Sequence, residues 1–139
     1  MATLQLSAEV RNARLDALEI AIGPSPILEL RSGALPENCA SPSSGMLLAR
    51  GALPVDWLGE AEEGIKSKAG NWVLKGLDGI PDSNIGHFRI YASSNPATCF
   101  VQGDVTGAGN GGAMVVDNAL IRAGQIVAVL LFELIDGNS

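Results

Sequence analysis

The alternation of apolar and polar positions breaks down in the last predicted strand of the chain. Residues 126–135 read Ile-Val-Ala-Val-Leu-Leu-Phe-Glu-Leu-Ile, with Glu133 as the only charge. Side chains alternate faces along a strand, so a half-exposed strand alternates apolar with polar residues. A regular strand here would place Ile126, Ala128, Leu130, Phe132 and Leu134 on one face and Val127, Val129 and Leu131 on the other. The pattern predicts a central strand whose two faces are covered by the rest of the chain or by a partner.

Apolar positions at helical spacing occur near the start of the chain. Ser7 can cap a helix, and Gly23, Pro24 and Pro26 end it, which predicts a helix over about residues 7–22. One stripe is formed by Val10, Ala13, Ala17 and Ile20, and it is widened by Leu15, Leu18 and Ile22. The arc is wide for a helix on a single surface, so we expect a sheet to cover it, together with a neighbouring subunit.

From residue 27 onward the pattern predicts β-strands separated by polar loops. The predicted strands are 27–31, 46–53, 71–75, 87–92, 98–105, 113–116 and 125–135. Residues 32–45, 58–70 and 76–86 are predicted loops, and Asn95-Pro96 is a predicted turn. Seven or eight strands at this spacing predict a mainly β fold: a β-sandwich, of the jelly-roll type, with one N-terminal α-helix. A single domain is expected to cover residues 1–139.

Composition and charge limit the classes of partner that the chain is expected to bind. The formal net charge is -6 and the basic residues are scattered, which argues against a nucleic-acid surface. No stretch reaches the roughly 18 apolar residues of a membrane helix, and the N-terminus lacks the pattern of a signal peptide. We therefore expect neither nucleic acid nor membrane as a partner, and Cys39 and Cys99 are expected to be reduced thiols that pack as small hydrophobes.

Motifs that would carry a reaction are weak in this sequence. Gly107–Gly112 matches G-x-G-x-x-G, but a strand follows it instead of a helix, so we interpret it as a hairpin loop. His87 is the only histidine, and no G-x-S-x-G motif accompanies it, so a structural role is favoured. No catalytic residue, cofactor or metal site is predicted, and the chain is not expected to be an enzyme.

Acidic residues leave two alternatives to weigh. Asp56 beside Trp57 is the pattern of a carboxylate near a sugar-stacking ring, as in a carbohydrate-binding or hydrolytic β-sandwich. Four loop residues offer oxygen ligands for calcium without the spacing of a calcium loop, so they are interpreted as turn residues: Asp78, Asp82, Asn84 and Asp104.

Four residues are candidates for a protein interface. Trp57 and Trp72 flank the charged loop at 58–70 and either fill the core or anchor a partner, and the core is favoured because isolated tryptophans in β domains pack inside. Leu4 and Leu6 are candidates because the first six residues are able to form a strand on a neighbouring subunit.

Several short motifs, in order, resemble a group of small structural proteins of tailed bacteriophages and prophages. They are Val10-Arg-Asn-Ala-Arg-Leu-Asp-Ala-Leu18, Leu28-Glu-Leu-Arg-Ser-Gly-Ala-Leu-Pro36, Gly45-Met-Leu-Leu-Ala49, Leu53-Pro-Val-Asp-Trp57, Gly86-His-Phe-Arg-Ile-Tyr91, Cys99-Phe-Val-Gln-Gly-Asp104 and Gly124-Gln125. The resemblance covers nearly the whole chain, and its pieces are short and related to packing.

The resemblance implies a capsid decoration, or cement, protein. Such a protein is made in the bacterial host cytoplasm and sits on the outer surface of an icosahedral head. Its partners would be the major capsid protein and its own copies, as a homodimer or homotrimer. Another virion part, such as a tail, collar or head-fibre module, is the alternative within the same group.

Overall fold

The computed structural model describes residues 4–136 and is mainly β, with one helix and a multi-strand sheet. This confirms the predicted class and the predicted helix, α1 (Ala8–Ile22), which Ser7 caps by accepting a hydrogen bond from the Val10 N–H. The strands are β1 (Ile27–Arg31), β2 (Leu47–Ala52), β3 (Ile65–Ser67), β4 (Val73–Lys75), β5 (Ser83–Asn84), β6 (His87–Ala92), β7 (Asn95–Gly107), β8 (Met114–Val116), β9 (Leu120–Ile121) and β10 (Ile126–Ile135).

One sheet of eight strands contains most of the chain. Its order is β2-β1-β6-β7-β8-β10-β3, and β4 also pairs with β10, while β5 and β9 form a separate two-stranded ribbon. All pairs are antiparallel except β7 with β8. β10 therefore has β8 on one edge and β3 and β4 on the other, which confirms its prediction as a central strand.

The sheet curls until its first strand meets the end of β4. The Leu77 N–H donates to the Leu48 carbonyl at 2.9 Å, and Ala49 lies opposite Gly76. Gly51 permits this approach, because a Cβ there would lie 2.5 Å from a methyl group of Leu74. The curled sheet encloses one hydrophobic core.

Aromatic rings form the centre of that core. Trp57 and Trp72 have centroids 5.9 Å apart, Trp72 and Phe132 are 5.2 Å apart, and Phe88 meets Phe132 edge-on at 5.6 Å. Both indole N–H groups donate to backbone carbonyls, Trp57 to Gly23 and Trp72 to Ala69. Burying both rings therefore leaves neither indole N–H unsatisfied.

A β-bulge divides β10 and corrects the predicted faces of this strand. The register shifts between Val129 and Leu131, because one extra residue is inserted opposite Val115–Val116. Phe132 thereby joins Val127 and Val129 on the buried face, while Leu130 and Leu131 are both exposed. The regular alternation expected from the sequence is wrong beyond Val129.

The sheet covers only part of the apolar arc predicted for α1. Only Leu15 and Ile22 of the helix are buried, whereas the stripe of Val10, Ala13, Ala17 and Ile20 faces outward. The reason is Lys66 on β3, which is 3% exposed and pairs with Asp16 at 2.8 Å and Glu19 at 2.9 Å. A buried ammonium needs its counterions, so the polar side of the helix turns toward the sheet.

Three loop predictions and one turn prediction are corrected. Residues 58–70 are not one exposed loop, because they contain β3 and the buried Leu58, and residues 76–86 contain β5. The chain turns at Ser93-Ser94, and Asn95-Pro96 already belongs to β7. The segment Gly107–Gly112 does not close a hairpin, because β7 and β8 run parallel.

Candidate functional site

The loop between β1 and β2, residues 32–46, covers the outer side of β6 and β7; we call it the covering loop. Its backbone carbonyl groups accept hydrogen bonds from the sheet, and its Ser43 hydroxyl forms a hydrogen bond with the Tyr91 hydroxyl. The pairs are His87 Nδ1 with the Gly33 carbonyl, Gln102 Nε2 with the Pro36 carbonyl, Arg89 Nη2 with the Cys39 carbonyl and the Tyr91 hydroxyl with Ser43 Oγ. Every residue of β6 is consequently buried, on both faces of the strand.

A row of charges crosses the sheet beneath this loop. Arg50, Glu29 and Arg89 lie opposite one another on β2, β1 and β6. The Glu29 carboxylate pairs with Arg31 at 3.0 Å and with Arg50 at 3.3 Å, whereas Arg89 bonds only to neutral oxygens and packs over the Tyr91 ring. These contacts pair the Glu29 carboxylate with two arginines and satisfy the terminal nitrogens of Arg89, whereas Arg89 Nε, His87 Nε2 and Gln102 Oε1 are buried beneath the loop without a hydrogen-bond partner among residues 4–136.

Both cysteines line a cleft of about 720 Å³ at the edge of the covering loop. Both are free thiols; Cys99 is buried and Cys39 is half-buried. Burial, followed by a hydrogen bond and charge interaction with Cys99, raises the pKa of the Cys39 thiol, and the nearby Arg89 only partly opposes this. A raised pKa keeps Cys39 as a thiol near neutral pH, so it is a weak nucleophile.

Three of the other residues considered for chemistry, His87, Asp82 and Asp104, have structural partners. His87 is fully buried against the covering loop. The Asp104 carboxylate accepts from the Ala113 N–H, and Asp82 pairs with Arg122. Within residues 4–136, no group of three or more histidine, cysteine or acidic side chains is arranged to hold a metal ion.

The side of β10 that faces away from the hydrophobic core carries the largest set of exposed aliphatic side chains found on one element of the described residues. Ile126, Leu130 and Leu131 are 57%, 50% and 47% exposed. Ala128 lies between them, and Val73 lies opposite Ala128 on β4 and is also exposed. We call these five residues the apolar outer face. Contiguous exposed apolar surface of this kind is typical of protein–protein contacts.

The apolar outer face is bounded by two charges on the same side of the sheet. Lys75 lies opposite Ile126 at one end, and Glu133 follows Leu131 by two residues at the other. Ile65 and Ile135 continue the same side beyond Glu133. An apolar centre with charged residues at its margin is the usual composition of an interface.

Residues missed in the sequence are Val73 and Lys75. Trp72 and Leu74 are buried, so the residues that alternate with them on β4 point outward beside Ile126 and Ala128. The alternation of residues 72–75 was the available signal. Only the pairing of β4 with β10, which the sequence does not specify, places these side chains on the apolar outer face.

The four predicted interface residues differ in burial. Trp57 and Trp72 are 0% and 1% exposed, which confirms the core interpretation and leaves no ring surface for a partner. The same burial removes the sugar-stacking platform that the carbohydrate-binding alternative requires. Leu4 is exposed and Leu6 is half-buried, and a role for them in an interface stays a prediction.

Comparisons with family models, with curated proteins and with solved structures find no match to this chain. Among the residues from 4 to 136, no helix has the length and hydropathy needed to cross a membrane.

Proposed function

We propose that this chain is a non-enzymatic virion protein that decorates an icosahedral phage capsid. It binds the major capsid protein and its own copies on the outer surface of the shell and stabilises the shell against internal DNA pressure. The observation that carries the proposal is the apolar outer face, where four of the five side chains are about half exposed although β10 is a central strand. The capsid as the binding partner is inferred from the resemblance of the sequence motifs to phage structural proteins.

Contact area is the mechanism of such a protein. Each Å² of apolar surface removed from water contributes about 25 cal/mol before ordering costs. Many symmetric copies on one shell add avidity to contacts that are individually modest. A decoration protein needs contacts to its own copies and to the lattice, and the outward stripe of α1, with Ile20 80% exposed, gives a second apolar surface separate from β10.

The shape we propose is a β-sandwich, in which the two halves of the curled sheet pack across the aromatic core. Its jelly-roll connectivity stays a prediction, since the parallel pair of β7 with β8 departs from an antiparallel jelly roll. A tail, collar or head-fibre position is the alternative, and it is distinguished by where the chain binds on the particle.

Reconstitution on particles tests the proposed function. Particles assembled without this chain are mixed with the purified protein, and bound copies and the temperature of DNA release are measured. We expect saturable binding to the head and a higher release temperature. Binding at the tail vertex alone, or no binding, would contradict the proposal.

A further inference from the structure

The arrangement of charges on β10 and β4 assigns a partner to the apolar outer face. We propose that this face binds the same face of a second copy of the chain, in a two-fold symmetric dimer in which Lys75 of each copy pairs with Glu133 of the other. The inference rests on the proposed function only in treating this face as a contact surface.

The first step is the position of the two charges. Both lie on the outer side of the sheet, Lys75 beside Ile126 and Glu133 beside Ser67. About seven residues of strand separate them, or roughly 20 Å at the rise of a β-strand. The midpoint falls between Val129 and Leu130, next to the bulge that exposes the adjacent Leu130 and Leu131. The charges are therefore placed on either side of an apolar centre.

The second step is symmetry. When a two-fold axis lies between two identical faces and perpendicular to β10, the two β10 strands run antiparallel across the interface. The end with Lys75 then lies over the partner end with Glu133, and the operation makes this ion pair twice. Lys75 is on β4 and Glu133 is on the adjacent strand β10, so each ion pair across the interface spans about one strand spacing. A parallel arrangement would instead place like charges together.

The third step is that both charges are available. Neither Lys75 nor Glu133 takes part in any of the ion pairs found between residues 4 and 136. Lys75 is exposed and Glu133 is half-buried. In the dimer the leucines of the two copies would cover one another, and the two ion pairs would fix the register of the faces.

Charge reversal tests the arrangement. We expect the wild-type chain to sediment as a dimer, and Lys75→Glu or Glu133→Lys alone to raise the dissociation constant by at least about tenfold, because like charges then face each other. The double variant Lys75→Glu/Glu133→Lys should return the constant to near the wild-type value. Lys68→Glu and Glu60→Lys, which make the same changes in net charge outside the apolar outer face, should leave it unchanged.

Each other outcome would overturn the proposal. A wild-type monomer at high concentration, or a dimer that survives Leu131→Asp in a folded chain, would show that this face is not the interface. Failure of the double variant to dimerise, with its circular dichroism spectrum intact, would rule out the antiparallel two-fold arrangement. The measurement uses purified protein without particles, so its failure leaves the capsid proposal standing, and failure to bind particles leaves the dimer standing.

Discussion

Lys66 reaches α1 from β3, and its ammonium group is almost fully removed from water, whereas Asp16 and Glu19 remain partly exposed. Burial by itself would lower the pKa of Lys66, but the hydrogen bonds and charges of Asp16 and Glu19 outweigh it and raise the pKa. The lysine is thus held in its charged form by the helix. The two carboxylates are what keep the polar side of α1 against the sheet.

Removing the carboxylates should destabilise the fold more than removing the lysine. Asp16→Asn/Glu19→Gln leaves a buried ammonium without a counterion and should cost about 2 kcal/mol, between the values for exposed and fully buried pairs. Lys66→Met should cost less, because it removes the charge that needs compensation. Urea unfolding of Asp16→Asn/Glu19→Gln, of Lys66→Met and of the triple variant measures the coupling free energy between the lysine and the two carboxylates. If the changes in unfolding free energy were additive, Lys66 would not interact with Asp16 and Glu19.

The raised pKa of Lys66 makes a prediction for alkaline pH. Because the pKa is higher in the folded state, the contribution of Lys66 is complete below its unfolded value, near 10.5, and is lost as pH rises through the folded value. Wild-type stability should therefore fall above about pH 10.5 more steeply than that of Lys66→Met. Thermal unfolding midpoints between pH 8 and 12 measure this, and parallel curves would disprove the contribution.

At the scale of elements, the bulge in β10 separates residues that a regular strand would place together. Val129 is 4% exposed and lies in the core, whereas Leu131 lies on the apolar outer face. We expect Val129→Asp to abolish soluble folding, since it buries an unpaired carboxylate. Leu131→Asp should fold with stability close to wild type. Soluble yield and circular dichroism compare the two variants, and equal effects would show that the bulge is misplaced.

The sequence could predict the helix and the longer strands, but not the short strands β3 and β5 or how the elements face each other. The Ser7 cap and Gly23 define α1, and the alternation in His87–Ala92 defines β6, because those signals are local. The outward stripe of α1 could not be predicted, since it depends on Lys66, a residue about 50 positions away. The pairing of β4 with β10 is equally non-local, and it decides which side chains form the apolar outer face.

The contacts of the covering loop could not be predicted either, because they join residues that are far apart in the sequence. Its composition predicts a polar loop, but not that its carbonyl groups accept hydrogen bonds from His87, Arg89 and Gln102. Those polar side chains alternate along two adjacent strands, which indicates a solvated face when read alone. Only the loop, held at its ends by the hydrogen bonds between Ser32 and Met46, turns that face into a buried one.

Across the whole molecule, some polar side chains are buried and some aliphatic side chains are exposed, which is the reverse of the usual distribution. Polar side chains of β6 are buried under the covering loop, while aliphatic side chains of β10 and α1 face outward. Exposed aliphatic surface on a central strand and on a helix is explained when other protein covers it in an assembly. A shell of capsid subunits and sister copies would provide that cover.

The position and copy number of this chain in the assembled particle test the proposed function most directly. Cryo-electron microscopy of purified particles, combined with quantitative mass spectrometry, should show the β domain on the outer surface of the head in fixed stoichiometry with the major capsid protein. Its apolar outer face should be covered in that map. Particles that lack the chain, or that carry it only at the tail vertex, would contradict a role in capsid decoration.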